Sequence, residues 1–389
     1  MLYFDNSATS YPKPKSVMDA VSESFLYYGA NPGRSGHSLA MKTAEKVFEC
    51  RENAGKLFGI SEPENIVFTK NCTEALNAVI MSIGEKGGHF IISDLEHNSV
   101  LRPLYELKNR GIISFSVAET FEGDFEKTVK SYENLMRSDT KMIVATGASN
   151  VFGTKLPVSM LGKTAHEHGA LFLLDGAQTA GSEKIDMEGE NIDFLCVPGH
   201  KGLLGPMGTG LLLTKRPELM EPQIFGGTGN FSLLPKQPKE LPEMMESGTL
   251  NVPGICGLSA GIDKVLSEGE ENIGKREAEL ACYIWDELDK MGGIKLFSSR
   301  PEYRTHAPVI SFIIGDLSGE ETARILSENN IAARGGFHCS ALAHFKANTE
   351  KRGTCRISVG TMNSFDEAVK LIKIIASIIK NNNCLQNNS

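Results

Sequence analysis

Short apolar runs alternate with amphipathic stretches along most of the chain. The runs "NIVFT" (65–69), "HFIIS" (89–93), "IISFSV" (112–117), "KMIVAT" (141–146), "ALFLLD" (170–175), "DFLCV" (193–197) and "GTGLLLT" (208–214) read as strands. Between most of them lie helical patterns, such as "TEALNAVIMSI" (73–83), "VLRPLYELKNR" (100–110) and "VSMLGKTAHEH" (158–168). Strand and helix in alternation predict a mostly parallel sheet with helices on its faces. A Gly- and Pro-rich stretch over 226–251 interrupts the pattern and reads as an excursion. Beyond residue 255 come two long helical stretches, then "PVISFII", the helix "GEETARILSEN", "IAARGG", "CRISVG" and a terminal helix. That order suits a smaller α+β domain, joined by the N-terminal stretch before the helix "KSVMDAVSESFLYY". The predicted division is a large α/β domain over 15–255 and a small α+β domain over 1–14 and 256–389.

Composition narrows the class. The 389 residues are 41% hydrophobic and 23% charged, as in globular chains, and long enough for two cores. A formal net charge of −8 makes the basic face that nucleic acid requires unexpected. The start "MLYFDNSATS" reaches Asp5 too early for a secretory signal. The apolar stretch "AVKLIKIIASIIK" (368–380) is broken by Lys370 and Lys373 and is shorter than the ~20 apolar residues of a membrane span. It reads as a buried final helix, so no membrane partner is expected. The eight cysteines show no CxxC pair and no regular spacing, which points to reduced thiols in a cytoplasmic protein. Cys50, Cys196, Cys256 and Cys282 fall in apolar patterns and read as core, and Cys384 lies in the tail.

Candidate chemistry gathers at the ends of the predicted strands, where open α/β sheets bind ligands. Asp175 closes "ALFLLD". Lys201 follows "DFLCVPGH", inside "VPGHKGLLGPMGTGLLLTKR", among glycines that suit close backbone approach. Asp175 alone reads as well as a cap or turn residue. Thr73 opens a helix straight after a strand, either as its N-cap or as part of a phosphate site. His97, in "SDLEHNSVLRPL", could stack on a ring or cap the next helix. Taken together, an amine, a carboxylate, a helix start and an imidazole match the needs of pyridoxal 5'-phosphate. Its aldehyde takes a lysine, its pyridine nitrogen an acid, and its phosphate N–H donors.

The segments "YFDNSATSYPKP", "NCTEALNA", "EHNSV", "SNVFGT", "DGAQTAG", "GHKGLLGPMGTG", "ESGTLN" and "RGGFHCSA" resemble, in order and over nearly the whole chain, the cysteine desulfurases of the class-V aminotransferase-like family. The resemblance implies a PLP-dependent transferase of fold type I. It implies that Lys201 links to the cofactor aldehyde and later moves protons at the substrate. Asp175 would pair with the pyridine nitrogen, Gln178 with the phenolic oxygen, and His97 would stack on the ring. Thr73, the backbone of Cys72 and Glu74, and His200 would hold the phosphate. Thr249 would reach the phosphate of the neighbouring subunit in a homodimer. Asn150 and Arg356 would hold the substrate carboxylate, with Arg34 near the entrance.

By the same resemblance Cys339 is the nucleophile that takes sulfur from L-cysteine as a persulfide, leaving L-alanine. Only the thiolate is competent, and "RGGFHCSALAHF" sets Arg334 and His338 around it. The short interval from Cys339 to Arg356 resembles the group with a compact catalytic loop, whose members use a separate sulfur-acceptor protein. Phe337 and Ser340 stand where His and Ala are expected, which leaves L-selenocysteine open as a substrate. His338, Cys339 and His344 match no zinc spacing, so no metal is expected. The competing readings are a selenocysteine lyase, a transaminase or another lyase on the same cofactor, and a catalytically silent PLP-binding scaffold.

Overall fold

A computed structural model describes residues 1–32, 36–230 and 232–386, with side chains described through Lys380. Arg34 and the side chain of Cys384 lie outside what is described. Seven strands form one sheet in the order Ile66–Thr69, Gly210–Thr214, Phe194–Pro198, Leu171–Asp175, Thr140–Thr146, Gly88–Ser93 and Ile113–Ala118. From Phe194–Pro198 to Ile113–Ala118 every neighbouring pair is parallel. Gly210–Thr214 runs against both its neighbours, because residues 199–209 are fewer than the dozen or so that a parallel crossover takes.

The central strands Leu171–Asp175, Phe194–Pro198 and Gly210–Thr214 are apolar nearly throughout because both faces of the sheet are covered there, whereas the edge strand Ile113–Ala118 is only partly buried. Phe90, Ile92, Met142, Val144, Leu173 and Phe194 pack on one face with the helices Cys72–Gly84 and Asn98–Asn109. Ile91, Ile143, Phe172, Leu174, Leu195 and Leu211 pack on the other with the helices Ser38–Phe58 and Val252–Glu268. The strand Gly88–Ser93 sends the chain outward to Ile113–Ala118, which returns across it to Thr140–Thr146. Loops therefore leave the carboxyl ends of Gly88–Ser93 and Thr140–Thr146 in opposite directions, and a crevice opens between them.

A second, antiparallel sheet has the order Arg334–Gly336, Thr354–Ser358, Val309–Ile314 and Ile294–Leu296. Its core takes Leu280, Ile284 and Leu288 from the helix Glu270–Asp289, and Leu371, Ile372 and Ile375 from the terminal helix Phe365–Gln386. The N-terminal stretch joins this part: Leu2–Tyr3 pairs in parallel with Ile331–Ala332, and Asp5 bridges Ser358. The helix Val252–Glu268 runs through residue 255 and packs Ile255, Leu258 and Ile262 into the core of the large sheet. We propose on that ground that the domain division falls after residue 268 rather than 255. Cys282, expected in the core, is half-buried, with its thiol donating to the Pro301 carbonyl at 3.3 Å. Among the described residues no helix is long and apolar enough to cross a membrane.

Candidate active site

Asp175 is the last residue of its strand and stands in register with Thr146 on one side and Cys196 on the other. Lys201 follows Pro198, the last residue of the next parallel strand, by three positions. Amine and carboxylate thus arrive at one edge of the sheet. The glycines around Lys201 have a steric cause. A Cβ on Gly202 would stand 2.1 Å from the Ala180 carbonyl oxygen, and one on Gly199 would stand 2.1 Å from Thr209 Oγ1. The bare backbone lets the turn after Pro198 close against the segment that follows Asp175.

Both groups face a cavity of about 210 Å³. Of the residues singled out in the sequence, Cys72, Thr73, His97, Asn150, Asp175, Gln178, His200, Lys201, Cys339 and Arg356 line it. Glu74 does not: its amide donates to Asn71 Oδ1 at 2.9 Å, and its carboxylate accepts from the Lys70 amide at 2.5 Å. Thr249 is exposed and also stands outside this lining. The helix cap is Asn71 rather than Thr73, and Asn71 lines the cavity. Ser7, Ser99, Arg334 and His338 are further polar residues of the wall that were given no binding role from sequence. Ser7 and Arg334 belong to recognisable motifs, but a lone serine or arginine carries no chemical signature until its neighbours are known.

Burial sets the protonation of the site. The Lys201 ammonium is pulled down to about 8, chiefly by burial, with Arg356 and Arg334 adding to the shift and Asp175 opposing it. Among the described residues Lys201 Nζ makes no hydrogen bond, so the amine is available to the cavity. Burial raises the Asp175 carboxyl, while a hydrogen bond from the Ala177 amide (3.0 Å), the Lys201 charge and the Cys72 thiol (3.5 Å) favour its ionised form. The Cys72 thiol is itself pushed well above the usual thiol range by burial and by Asp175, and stays a donor.

The imidazoles at the site are neutral. Burial and the Lys201 charge lower His97 to about 4 and His200 to about 4, and burial with Arg356 lowers His338 to about 3. His97 caps the helix Asn98–Asn109, its Nδ1 accepting from the Ser99 amide at 3.1 Å. That bond leaves the ring proton on Nε2. The cap role and the cavity position hold together, because the cap is what fixes the ring. Arg356, almost fully buried, donates to the Asn150 carbonyl at 2.8 Å and to Asp5 Oδ1 at 2.9 Å, while its Nε has no partner.

These groups fit pyridoxal phosphate. The first amides of a helix have no acceptor within it, and with Glu74 committed to Asn71, those of Cys72 and Thr73 remain for a phosphate. His200 Nδ1 is buried without a partner. Asp175 uses Oδ1 for both of its bonds, which leaves Oδ2 for a ring nitrogen. Gln178, whose amide donates to the Ser7 carbonyl at 3.2 Å, lines the same cavity. A mostly parallel sheet with this constellation at its carboxyl edge defines a PLP-dependent enzyme of fold type I.

Within that class the chain belongs to the class-V aminotransferase family, whose model, described as Aminotransferase class-V, matches residues 2–371. The chain is 32% identical to a probable cysteine desulfurase of Pyrococcus abyssi, over 98% of this chain and 94% of that relative. It is 30% identical to a cysteine desulfurase of Escherichia coli O8, over 96% of this chain and 92% of that one. The apo structure of a cysteine desulfurase from Thermococcus onnurineus NA1 superposes with a TM-score of 0.90 at 32% identity, covering 98% of this chain and 95% of that one. The family depends on pyridoxal phosphate.

We propose that Lys201 is the amine that takes the cofactor aldehyde, which makes uptake pH-dependent. Only the free amine joins an aldehyde, and the buried ammonium loses its proton near pH 8 instead of above 10. Uptake by the apoprotein is expected to rise about tenfold per pH unit up to about pH 8 and then level off. The growth of the visible absorbance after adding the cofactor measures it, and a flat profile from about pH 6.5 to 9 would contradict the assignment.

Proposed function

We propose that the protein is a PLP-dependent cysteine desulfurase. L-Cysteine and the Cys339 thiol give L-alanine and a persulfide on Cys339. The observation that carries this reading is that Cys339, an exposed thiol, lines the same cavity as the buried Lys201 amine. A transaminase would have no use for that thiol.

When bound, pyridoxal phosphate supplies an electron sink for the substrate α-carbon. Lys201 Nζ is the base in that cavity, taking the α-proton and later returning one to the product. The buried Arg356, with Asn150 beside it, receives the substrate carboxylate and orients the α-carbon toward the amine. Neutral His97, which lines the cavity, would lie against the ring face, its Nε2–H able to donate without adding charge. Cys72, Thr73 and His200 would hold the phosphate, Asp175 the ring nitrogen and Gln178 the phenolic oxygen. Cys339 attacks the substrate sulfur as a thiolate. The S–S bond forms as the Cβ–S bond breaks, the electron pair stays with carbon, and a proton completes the methyl group of alanine.

The wider assembly belongs to the same reading. Phe25, Leu26 and Tyr27 on the helix Lys15–Tyr27, with Leu39, Met41 and Phe48 on the helix Ser38–Phe58, are exposed. A second copy of the chain covers them, and the exposed Thr249 serves that copy's phosphate. The persulfide on the short Cys339 loop passes to a separate acceptor protein in the cytoplasm.

The test is to incubate the holoenzyme with L-cysteine and a thiol reductant and to assay alanine and sulfide. Equal amounts of the two, without a keto acid, are expected. Turnover that requires an added keto acid, or the absence of alanine, would overturn the proposal.

A further inference from the structure

The Cys339 loop is held in an unfavourable backbone shape. His338 and Cys339 are consecutive non-glycine residues with φ of 49° and 58°, in the left-handed region that costs a side-chain-bearing residue free energy. Such a pair persists only where the surroundings impose it. The Asn98 amide donates to the Cys339 carbonyl at 2.7 Å, and Asn150 Nδ2 donates to the His338 carbonyl at 2.7 Å. His338 Nε2 meets the Thr354 carbonyl at 3.0 Å. Asn150 can present its nitrogen to His338 only if its oxygen points the other way. There the hydroxyl of Ser340 donates to Asn150 Oδ1 at 2.5 Å.

Ser340 is fully buried, and it stands where the resemblance leads one to expect alanine. An alanine would leave Asn150 Oδ1 buried without this donor. It would also remove what distinguishes the two ends of the amide. A flipped amide would set Oδ1 against the His338 carbonyl, acceptor against acceptor. The same asparagine meets the substrate clamp through its backbone, where its carbonyl accepts from Arg356.

We propose that Ser340 is a positioning residue for the sulfur-accepting thiol: its hydroxyl orients the Asn150 amide, which holds the left-handed His338–Cys339 pair and ties the nucleophile to the Arg356 clamp. The proposal rests on the desulfurase reading for its consequence in turnover, and on the loop geometry alone for its consequence in thiol reactivity. Ser340 touches neither substrate nor cofactor.

The experiment compares the holoenzyme with Ser340→Ala, Asn150→Ala and the double variant. In Ser340→Ala, kcat for alanine formation is expected to fall about tenfold, with KM for cysteine within about twofold. The cofactor absorbance and its change on adding cysteine stay as in the parent, because Lys201, Asp175 and Arg356 are untouched and Asn150 keeps its backbone bond to Arg356. The double variant is expected to lose no more than Asn150→Ala alone, since both act through one amide. A parental kcat in Ser340→Ala, or losses that multiply in the double variant, would overturn the proposal. So would a loss of the spectral response to cysteine, which would mean a general disturbance of the site. Alkylation of Cys339 by iodoacetamide, followed without substrate, is expected to quicken about threefold or more in Ser340→Ala as the loop loosens. An unchanged alkylation rate overturns the proposal even if the parent enzyme makes no alanine, an outcome that would separately remove the desulfurase reading.

Discussion

Lys201→Ala is expected to yield a protein that purifies without the visible band of a linked cofactor and forms alanine from cysteine about 10⁴-fold more slowly than the parent. The size follows from losing both the covalent anchor and the proton-transferring base, a role that alone contributes about 10² to 10⁴. Among the described residues Lys201 is the sole lysine that lines the cavity, so no neighbouring amine stands ready to replace it. The variant should fold. Burial opposes the charged form of Lys201, and Lys201 Nζ makes no hydrogen bond among the described residues, so its removal breaks no bond that holds the fold. Absorption spectra of the purified protein, before and after adding cofactor, read the first outcome. A band unchanged from the parent would mean that another amine holds the aldehyde.

Cys339→Ala is expected to be nearly as damaging to turnover, with alanine formation from cysteine falling about 10³-fold or more, while leaving the cofactor in place. The distinction follows from geometry. Cys339 is exposed at the cavity wall, and the bond that ties it down uses its backbone carbonyl, which alanine retains. Alanine tolerates the left-handed φ of 58° about as poorly as cysteine does, so stability should change by no more than about 0.5 kcal/mol. Cysteine should still shift the visible spectrum of this variant, because the roles proposed for Arg356 in carboxylate capture and for Lys201 in proton removal do not involve the thiol. Persistent alanine formation at the parental rate would exclude the persulfide step, and loss of the spectral response would place Cys339 in substrate binding instead.

Much of the large sheet was legible in the sequence. Each of the seven apolar runs from 65 to 214 lies on a strand, since a strand covered on both faces is apolar over most of its length. Asp175 and Lys201 were legible for a related reason: a polar residue directly after such a run lies at the sheet's edge, where ligands bind. Gly210–Thr214 is as apolar as its neighbours, and its antiparallel direction shows in the length of the preceding loop, not in its pattern. The short strands Ile294–Leu296 and Ile331–Ala332 carry too few residues for any period to show. The cap on the helix Cys72–Gly84 was misplaced by two positions, because Asn71 and Thr73 are both good capping residues. Only backbone geometry selects Asn71, and with it withdraws the Glu74 amide from the phosphate site.

Residue order by itself determined the layered α/β architecture, which follows from local periodicity, and it singled out Asp175 and Lys201 at strand ends, while most of the other candidate residues came from motif resemblance and not from any pattern of their own. Tertiary structure alone decided how those residues behave. The lowered proton affinity of Lys201, the neutral imidazoles and the protonated Cys72 come from burial and from charges far away in sequence. The link from Ser340 through Asn150 to the His338–Cys339 backbone spans 190 positions of chain, and a contact of that range has no local signature. Desolvation and hydrogen-bond geometry depend on where the chain returns, and that is settled only when the two sheets pack.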